Sequence, residues 1–340
     1  MTDAGQRGST FAIAEPSQPG HARRAATDLA LRLGFDAEAA GRVALVVTEL
    51  GSNLLKHAGG GEVLLRSLGQ ADRRGLEVSA LDRGPGIHNL GESLRDGHST
   101  AGTPGTGLGA VRRLSTCFDI YSLPGTGTAV LAQLWGEDTP RPPSGRGLDV
   151  GAVCLPKSGE GIAGDDWAVE QIGARSVIAV ADGLGHGPLA AEAAGMAMRL
   201  VRRHAGEGPR ACVAAAHAGL RSTRGGALAV AEVDLGRDLV RFCGLGNISA
   251  AVLGGDPDRR LVSHNGTAGH TAGRIDEFTY PWPRGGLLVL HSDGLATHWD
   301  LDRYPGLARR HPSLIAGVLY RDFTRGRDDV TVVVARESST

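Results

Sequence analysis

Residues 176–187 read SVIAVADGLGHG, and the way this apolar run stops on an aspartate decides how the second half of the chain is read. A strand built for the interior has no use for a carboxylate at its rim unless the rim is a turn or a site. The pattern returns in LLVLHSDG, residues 287–294, and in mirror image in RDDVTVVVA, residues 327–335, where Asp328 and Asp329 precede a β-branched run. Gly164-Asp165-Asp166-Trp167 adds a fourth acidic position. One Asp-Gly after a strand reads as a turn. Four acidic stretches in the order G-D, A-D-G-L-G-H-G, S-D-G and D-D-V-T read as carboxylates that converge. Packed together they repel and raise one another's pKa, and a hard divalent cation removes that conflict. Carboxylate oxygens with few histidines suit Mg²⁺ or Mn²⁺. Two such ions about 3.5–4 Å apart can activate water and clamp a phosphoryl group.

Working outward, the chain has 340 residues, enough for roughly two domains at about 150 residues each. Apolar residues make up 41 % and charged residues 21 %, an ordinary globular balance. A net charge of −1 gives no electrostatic case for nucleic acid or an anionic membrane. No apolar run approaches the ~18 residues that span a bilayer, and MTDAGQRGST has no signal-peptide pattern. Cys117, Cys154, Cys212 and Cys243 lie far apart without a C-x-x-C pair. A reduced, cytoplasmic protein is therefore expected. With 52 glycines, many tight turns and close backbone approaches are expected.

GEDTPRPPSGRG, residues 136–147, has three prolines, three glycines and no apolar periodicity, and reads as a linker. Before it, strands are expected at STFAIAE, GEVLLRSLG, GLEVSALDRG, FDIYSL and TAVLAQLW. Helices are expected at HARRAATDLALRLGF and AEAAGRVALVVTELGSNLLKHA, the second with Val43, Val46, Val47, Leu50 and Leu54 as its core stripe. Short connections predict a mostly antiparallel sheet with helices on one face. After the linker, strands DVGAVCLP, DDWAVEQIG, SVIAVADG and ALAVAEVD and the helix LAAEAAGMAMRLVRRHA predict a second α+β unit.

Glu49 and Asn53, four apart, share a helix face that is not the apolar stripe, with Lys56 three residues further on. The strand LEVSAL ends in Asp82-Arg83-Gly84-Pro85-Gly86, and Gly105-Thr106-Gly107-Leu108-Gly109 leads into a helix. Singly these are a solvated helix face, a turn and a loop. Together they supply an oxygen ligand for Mg²⁺, an acid that orients water, and glycine-loop amides that meet phosphate.

TELGSNLLKHA, DRGPG and GTGLG resemble the three ATP-binding boxes of the GHKL ATPase superfamily, in the branch of the anti-sigma-factor serine kinases and the switch kinases of stress signalling. The resemblance implies an ATPase domain over residues 8–136, with Asn53 as Mg²⁺ ligand and Glu49 as base or water-positioner. It implies Asp82 as acceptor for the adenine amino group, Gly84 and Gly86 as close backbone to the base, and Gly105, Gly107 and Gly109 as a short phosphate lid. Lys56 and Leu108 complete the nucleotide-binding set.

Beyond the linker at 137–148, the ordered acids and CLPKSGEGIAGDDWAV resemble the metal-dependent PPM-class serine/threonine phosphatases of the sporulation stage II E branch. That resemblance covers residues 149–336 and implies an α/β/β/α sandwich holding two Mn²⁺ or Mg²⁺ on Asp165, Asp182, Asp293 and Asp328, with the Gly183 carbonyl beside Asp182. Asp166 for Asp165 and Asp329 for Asp328 stay open, because each is an adjacent pair. The family's glycine-histidine-x-proline stretch stands here as Gly246-Asn247-Ile248-Ser249. The resemblances together imply a cytoplasmic regulator of a partner-switching stress or sigma-factor pathway, a GHKL kinase-like sandwich followed by a PPM phosphatase. Its partners would be STAS-domain anti-sigma antagonists or stressosome-type scaffolds, with a sigma factor or downstream regulator as a further partner. No nucleic acid and no membrane is expected, and a homodimer is compatible with the sequence. The rival readings are an ATP-binding domain that only senses nucleotide, or a module that sequesters a sigma factor.

Overall fold

Strand and helix signals on either side of the linker build two units. The computed structural model describes residues 7–69, 74–94, 107–136 and 147–338, so Gly105 and most of the linker lie outside the described residues. One unit comprises Met1–Pro142 with Leu301–Arg321, the other Pro143–Asp300 with Asp322–Thr340.

The first unit opens with β1 (Ser9–Ile13), α1 (Gln18–Arg32) and α2 (Ala37–Asn53). The Asp36 carboxylate caps α2 by accepting the Ala39 amide at 2.7 Å. The last predicted turn of this helix, Leu54–Ala58, is a π turn rather than α. β2 (Gly61–Leu68), β3 (Gly75–Leu81), α3 (Leu90–Ser93), α4 (Leu108–Leu114), β4 (Cys117–Leu123) and β5 (Gly127–Trp135) follow. The five strands form an antiparallel sheet in the order β1-β2-β3-β5-β4. Its core packs Val63, Leu65, Val78 and Ala132 under Ala22, Ala26 and Ala30 of α1 and Val43, Val46, Val47 and Leu50 of α2. The small alanines let α1 lie close to α2, while the valines fill the layer beneath.

The second unit runs through β6 (Leu148–Leu155), β7 (Asp165–Ile172), β8 (Arg175–Gly183), α5 (Pro188–His204), α6 (Pro209–Gly219), β9 (Gly226–Asp234), β10 (Leu239–Leu245) and β11 (Ser249–Leu253). Short β12 (Arg259–Arg260), β13 (Gly266–Thr267) and β14 (Thr271–Ala272) precede β15 (Phe278–Pro281), β16 (Leu287–His291) and β17 (Val330–Glu337). Two five-stranded sheets result, β15-β10-β9-β8-β7 and β12-β11-β16-β17-β6. Ile178, Val180 and Phe242 of one sheet share a core with Leu288, Leu290 and Val333 of the other. Ala179, Val177 and Leu228 on the first sheet's outer face pack under Ala194, Met198 and Val213 of α5 and α6. All four cysteines are free thiols, and Cys154, Cys212 and Cys243 are buried.

α7 (Pro312–Phe323) has a buried residue at every position from Pro312 to Arg321. By its contacts the segment Leu301–Arg321 groups with the first unit, although it lies within residues 149–336 of the chain. This segment covers the face of the first sheet opposite α1 and α2. There the Glu77 carboxylate is 3 % exposed. Arg66 donates twice to its Oε1 (Nε 3.0 Å, Nη2 2.8 Å), and its Oε2 accepts from Gln133 Nε2 at 2.8 Å and Ser313 Oγ at 2.7 Å. Asp119 accepts from Arg310 Nη1 at 3.2 Å and from the His311 amide at 2.8 Å. Gly317 sits against Leu81, whose Cδ2 would lie 3.2 Å from a Cβ added there. The periodicity of PSLIAGVLYRDF marks a buried helix without saying which sheet it covers.

Candidate functional site

In the first unit, helix α2 carries Glu49 and Asn53 one turn apart, and the π turn begins directly after Asn53. Such widened turns gather at functional positions. They also shift Lys56 off the simple three-residue step from Asn53. Burial pushes the Glu49 carboxyl above its ordinary value, and the neighbouring Lys56 ammonium pulls it back. Asp82 follows β3 as expected. Its Oδ1 accepts the Gly84 amide at 2.8 Å and the Thr128 amide at 3.1 Å. Among the described residues no donor meets Oδ2. Burial raises the Asp82 pKa, while these amides and the Arg321 guanidinium lower it. A Cβ on Gly84 would fall 2.7 Å from Ala58, and Gly86, at φ +72°, sits 2.5 Å from the Leu123 carbonyl oxygen by the same measure. Both glycines thus let the Asp82 loop lie against its own domain. Gly107 (φ +147°) leads into α4, which begins with Leu108 and Gly109.

In the second unit the strand rims do bring acids together. Asp165 and Asp182 are direct cross-strand partners of β7 and β8. Asp165 is buried, and its Oδ2 accepts the Ser292 hydroxyl at 2.6 Å. Ser292 Oγ in turn accepts the Thr331 amide at 2.9 Å. One residue along, the pleat turns Asp166 away, to within 3.8 Å of where a Cβ on Gly195 of α5 would stand. Asp182, Asp293 and Asp328 line one cleft of about 400 Å³, together with Gly185, Asn247 and Asn265. Asn247 Nδ2 donates to Asp293 Oδ2 at 2.8 Å. Asp329 is buried with both oxygens occupied, by the Lys157 amide at 2.8 Å and the Gly164 amide at 2.9 Å. It ties the 157–164 loop to the head of β17, while Asp328 faces the cleft.

The Gly183 backbone has no room for a side chain beside the Ala190 carbonyl oxygen, nor has Gly294 beside that of Asp329. Burial raises the Asp182 pKa, and Asp165, Asp293, Asp328 and Asp329 raise it further. Asp165 is raised by burial and then by Asp329 and Asp293. Asp293 is raised by burial and by Asp328. Among the described residues no three acidic, histidine or cysteine side chains close on one point as a finished cage. The donor chemistry nonetheless fits a divalent cation: hard oxygens, mutual repulsion, and no thiolate. The nearby histidines are engaged elsewhere. His186 pairs with Glu160 at 2.8 Å. His291 is held between the Ser292 carbonyl (2.8 Å) and Trp299 Nε1 (3.0 Å), its pKa pushed down to about 4 by burial. Ser292 and Asn247 were visible only as letters within S-D-G and G-N-I-S; the residues they hold lie 127 and 46 positions away.

A first sheet carrying a Glu-Asn helix and an Asp-Gly loop, and a two-sheet sandwich with acids at its rim, define a kinase-like ATPase joined to a PPM phosphatase fold. Residues 13–134 match the family of the histidine kinase-like ATPase domain, and residues 173–337 match the stage II sporulation protein E family. The chain belongs to the kinase-like ATPase family, and its second half carries a phosphatase domain of the stage II E type. It is 34 % identical over 114 residues to the serine/threonine-protein kinase RsbT of Bacillus subtilis, covering 34 % of this chain and 86 % of that one. It is 24 % identical over 144 residues to the phosphoserine phosphatase RsbX of the same organism, covering 42 % of this chain and 71 % of that one. A solved structure from work on the bacterial stressosome, a modular system adapted to control secondary messenger signalling, is 29 % identical, with a TM-score of 0.53, over 56 % of this chain and 100 % of that one. Among the described residues no helix is long and apolar enough to cross a membrane.

Proposed function

We propose that the second unit removes phosphate from serine or threonine on STAS-domain or stressosome-type scaffold proteins, and that the first unit adds it from ATP. The observation that carries the reading is the single cleft lined by Asp182, Asp293 and Asp328, with Asp165 paired behind Asp182. Asp165, Asp182, Asp293, Asp328 and the Gly183 carbonyl would hold two Mn²⁺ or Mg²⁺. Bound there, the ions supply a water of lowered pKa and positive charge against the phosphoryl oxygens. The protein's own part is to bring the carboxylates together and orient them. Ser292 fixes Asp165, and Asn247 fixes Asp293 by one oxygen, leaving the other free. Hydrolysis would form a bond from water oxygen to phosphorus and break the bond from phosphorus to the serine or threonine oxygen, the water giving a proton to solvent and the leaving oxygen taking one from it.

In the first unit, Asn53 would ligate Mg²⁺, and the clear Oδ2 of Asp82 would accept the adenine amino group. Lys56, Gly107, Leu108 and Gly109, with Gly105, would close on the phosphates. Glu49 would orient the acceptor hydroxyl, since phosphoryl transfer depends mainly on positioning and electrostatics. The likeness to an RsbT-type kinase supports this half.

A second reading has its own support. Arg321 Nη1 donates to the Asp82 carbonyl at 2.9 Å, and Arg83 Nη2 donates to the Arg321 carbonyl. Arg321 stands seven residues before Asp328 in the chain. Nucleotide at the Asp82 loop would then be sensed rather than consumed. Incubating the full chain with labelled ATP and a panel of STAS proteins, then chasing with Mn²⁺, separates the two. A kinase labels a STAS protein and the chase removes the label. A sensor labels nothing, and ATP changes the Mn²⁺-dependent phosphatase rate.

A further inference from the structure

The segment Thr223-Arg224-Gly225-Gly226 at the head of β9 carries a guanidinium beside Gly185, a residue of the acidic cleft wall. Its backbone is fixed on every side. The Thr223 hydroxyl donates to the Leu220 carbonyl at 2.8 Å and accepts the Gly225 amide at 3.0 Å. His270 Nε2 donates to the Arg224 carbonyl at 2.9 Å, and the Leu184 amide donates to the Gly225 carbonyl at 2.9 Å. The side chain is treated differently. It is exposed and lies over Gly185, its Nη1 3.0 Å from where a Cβ on that glycine would stand. Gly185, at φ +88°, is itself part of the cleft wall with Asp182, Asp293 and Asp328. Among the described residues, no carboxylate pairs with the Arg224 guanidinium and no side-chain hydrogen bond engages it. An arginine with a locked backbone and an unengaged fork, beside a cleft crowded with aspartates, is arranged for an anion that arrives from outside.

We propose that Arg224 binds the phosphoryl oxygens of the substrate, and of the phosphate product, in this cleft; the inference rests on the phosphatase reading above. The charge balance favours it. The cations that the aspartates would hold are largely neutralised by those same carboxylates, so a phosphomonoester dianion needs a further positive partner. A guanidinium offers two parallel N–H donors to two phosphoryl oxygens, which an ammonium cannot match. Gly185 leaves the space in which the fork swings over the cleft.

The test uses the full chain with Mn²⁺, p-nitrophenyl phosphate as substrate, and inorganic phosphate as product inhibitor. Arg224→Gln is expected to raise KM and the phosphate inhibition constant about tenfold or more. Mn²⁺ affinity by calorimetry should stay unchanged. Arg224→Lys should recover part of the loss, and Arg221→Gln, three residues away, should behave as the unaltered chain. Calorimetric titration of inorganic phosphate into the Mn²⁺-loaded chain gives an answer even without turnover. Phosphate binding that is lost in Arg224→Gln supports the assignment while an inactive unaltered chain would count against the phosphatase reading alone. Unchanged KM, inhibition constant and phosphate affinity in Arg224→Gln would overturn the proposal.

Discussion

Asp82 uses one carboxylate oxygen to hold its own loop and leaves the other clear. Replacing it with asparagine keeps an acceptor but removes the charge, and an amide flipped to serve the loop presents NH₂ to the adenine amino group. Asp82→Asn should weaken ATP binding by about 1.5–3 kcal/mol, roughly ten- to a hundredfold. Calorimetry with ATP and GTP checks this; an unaltered preference for ATP would remove Asp82 from base recognition. At the acidic cleft, Asp182→Ala should cut Mn²⁺-dependent turnover at least a hundredfold and lower Mn²⁺ affinity, whereas Asp166→Ala should retain both. Equal losses in the two variants would mean that the pleat does not separate their roles. The sequence made the four acidic stretches legible because apolar runs ending on aspartate are conspicuous. It could not choose between Asp165 and Asp166, since neighbours on a strand differ only in the face they point to. Under the proposed reading, the pairing of Asp165 with Asp182 across two strands speaks for Asp165. Asn247 was legible only as a departure from a pattern, because its meaning lies in a contact with Asp293.

The strands and long helices of both halves follow their periodicity closely, since alternation and helical stripes are local signals. The exception is the far face of the first sheet. Arg66 and Glu77 on β2 and β3 are charged, yet both are buried beneath Leu301–Arg321. Burial alone would raise the Glu77 pKa, but the Arg66 charge and the hydrogen bonds from Ser313, Gln133 and Arg66 outweigh it and hold the carboxyl below its ordinary 4.5. Its folded pKa is depressed, so its contribution to stability is complete above pH 4.5 and is lost as pH falls through the folded value. Glu77→Leu removes the carboxylate that faces the buried Arg66 and should destabilise the first unit by about 3–5 kcal/mol. Arg66→Met combined with Glu77→Leu should cost much less, because no charge is stranded. Urea unfolding at pH 7 measures both, and a double variant as unstable as the single one would contradict the account. The acid-induced loss of stability below pH 4.5 should also be shallower in the double variant.

At the scale of the whole molecule the chain visits the first unit, moves to the second, returns for Leu301–Arg321 and then goes back. A protease site inserted within residues 137–146 should therefore yield two fragments that co-elute in native size exclusion and part only in denaturant. Two native peaks after cleavage would show that Leu301–Arg321 does not hold the first unit's sheet. This route also bears on ancestry. Chains that combine ready-made domains are usually joined end to end, and a single crossover in the gene can then replace one partner. Here such a crossover at the proline-rich stretch would bring in a foreign ATPase half whose sheet had never met Ser313, Arg310 or Arg321. The matching pieces, Glu77 with Ser313 and Asp119 with Arg310, are encoded about 200 codons apart. An exchanged half would therefore leave Glu77 and Asp119 facing a segment not built to meet them.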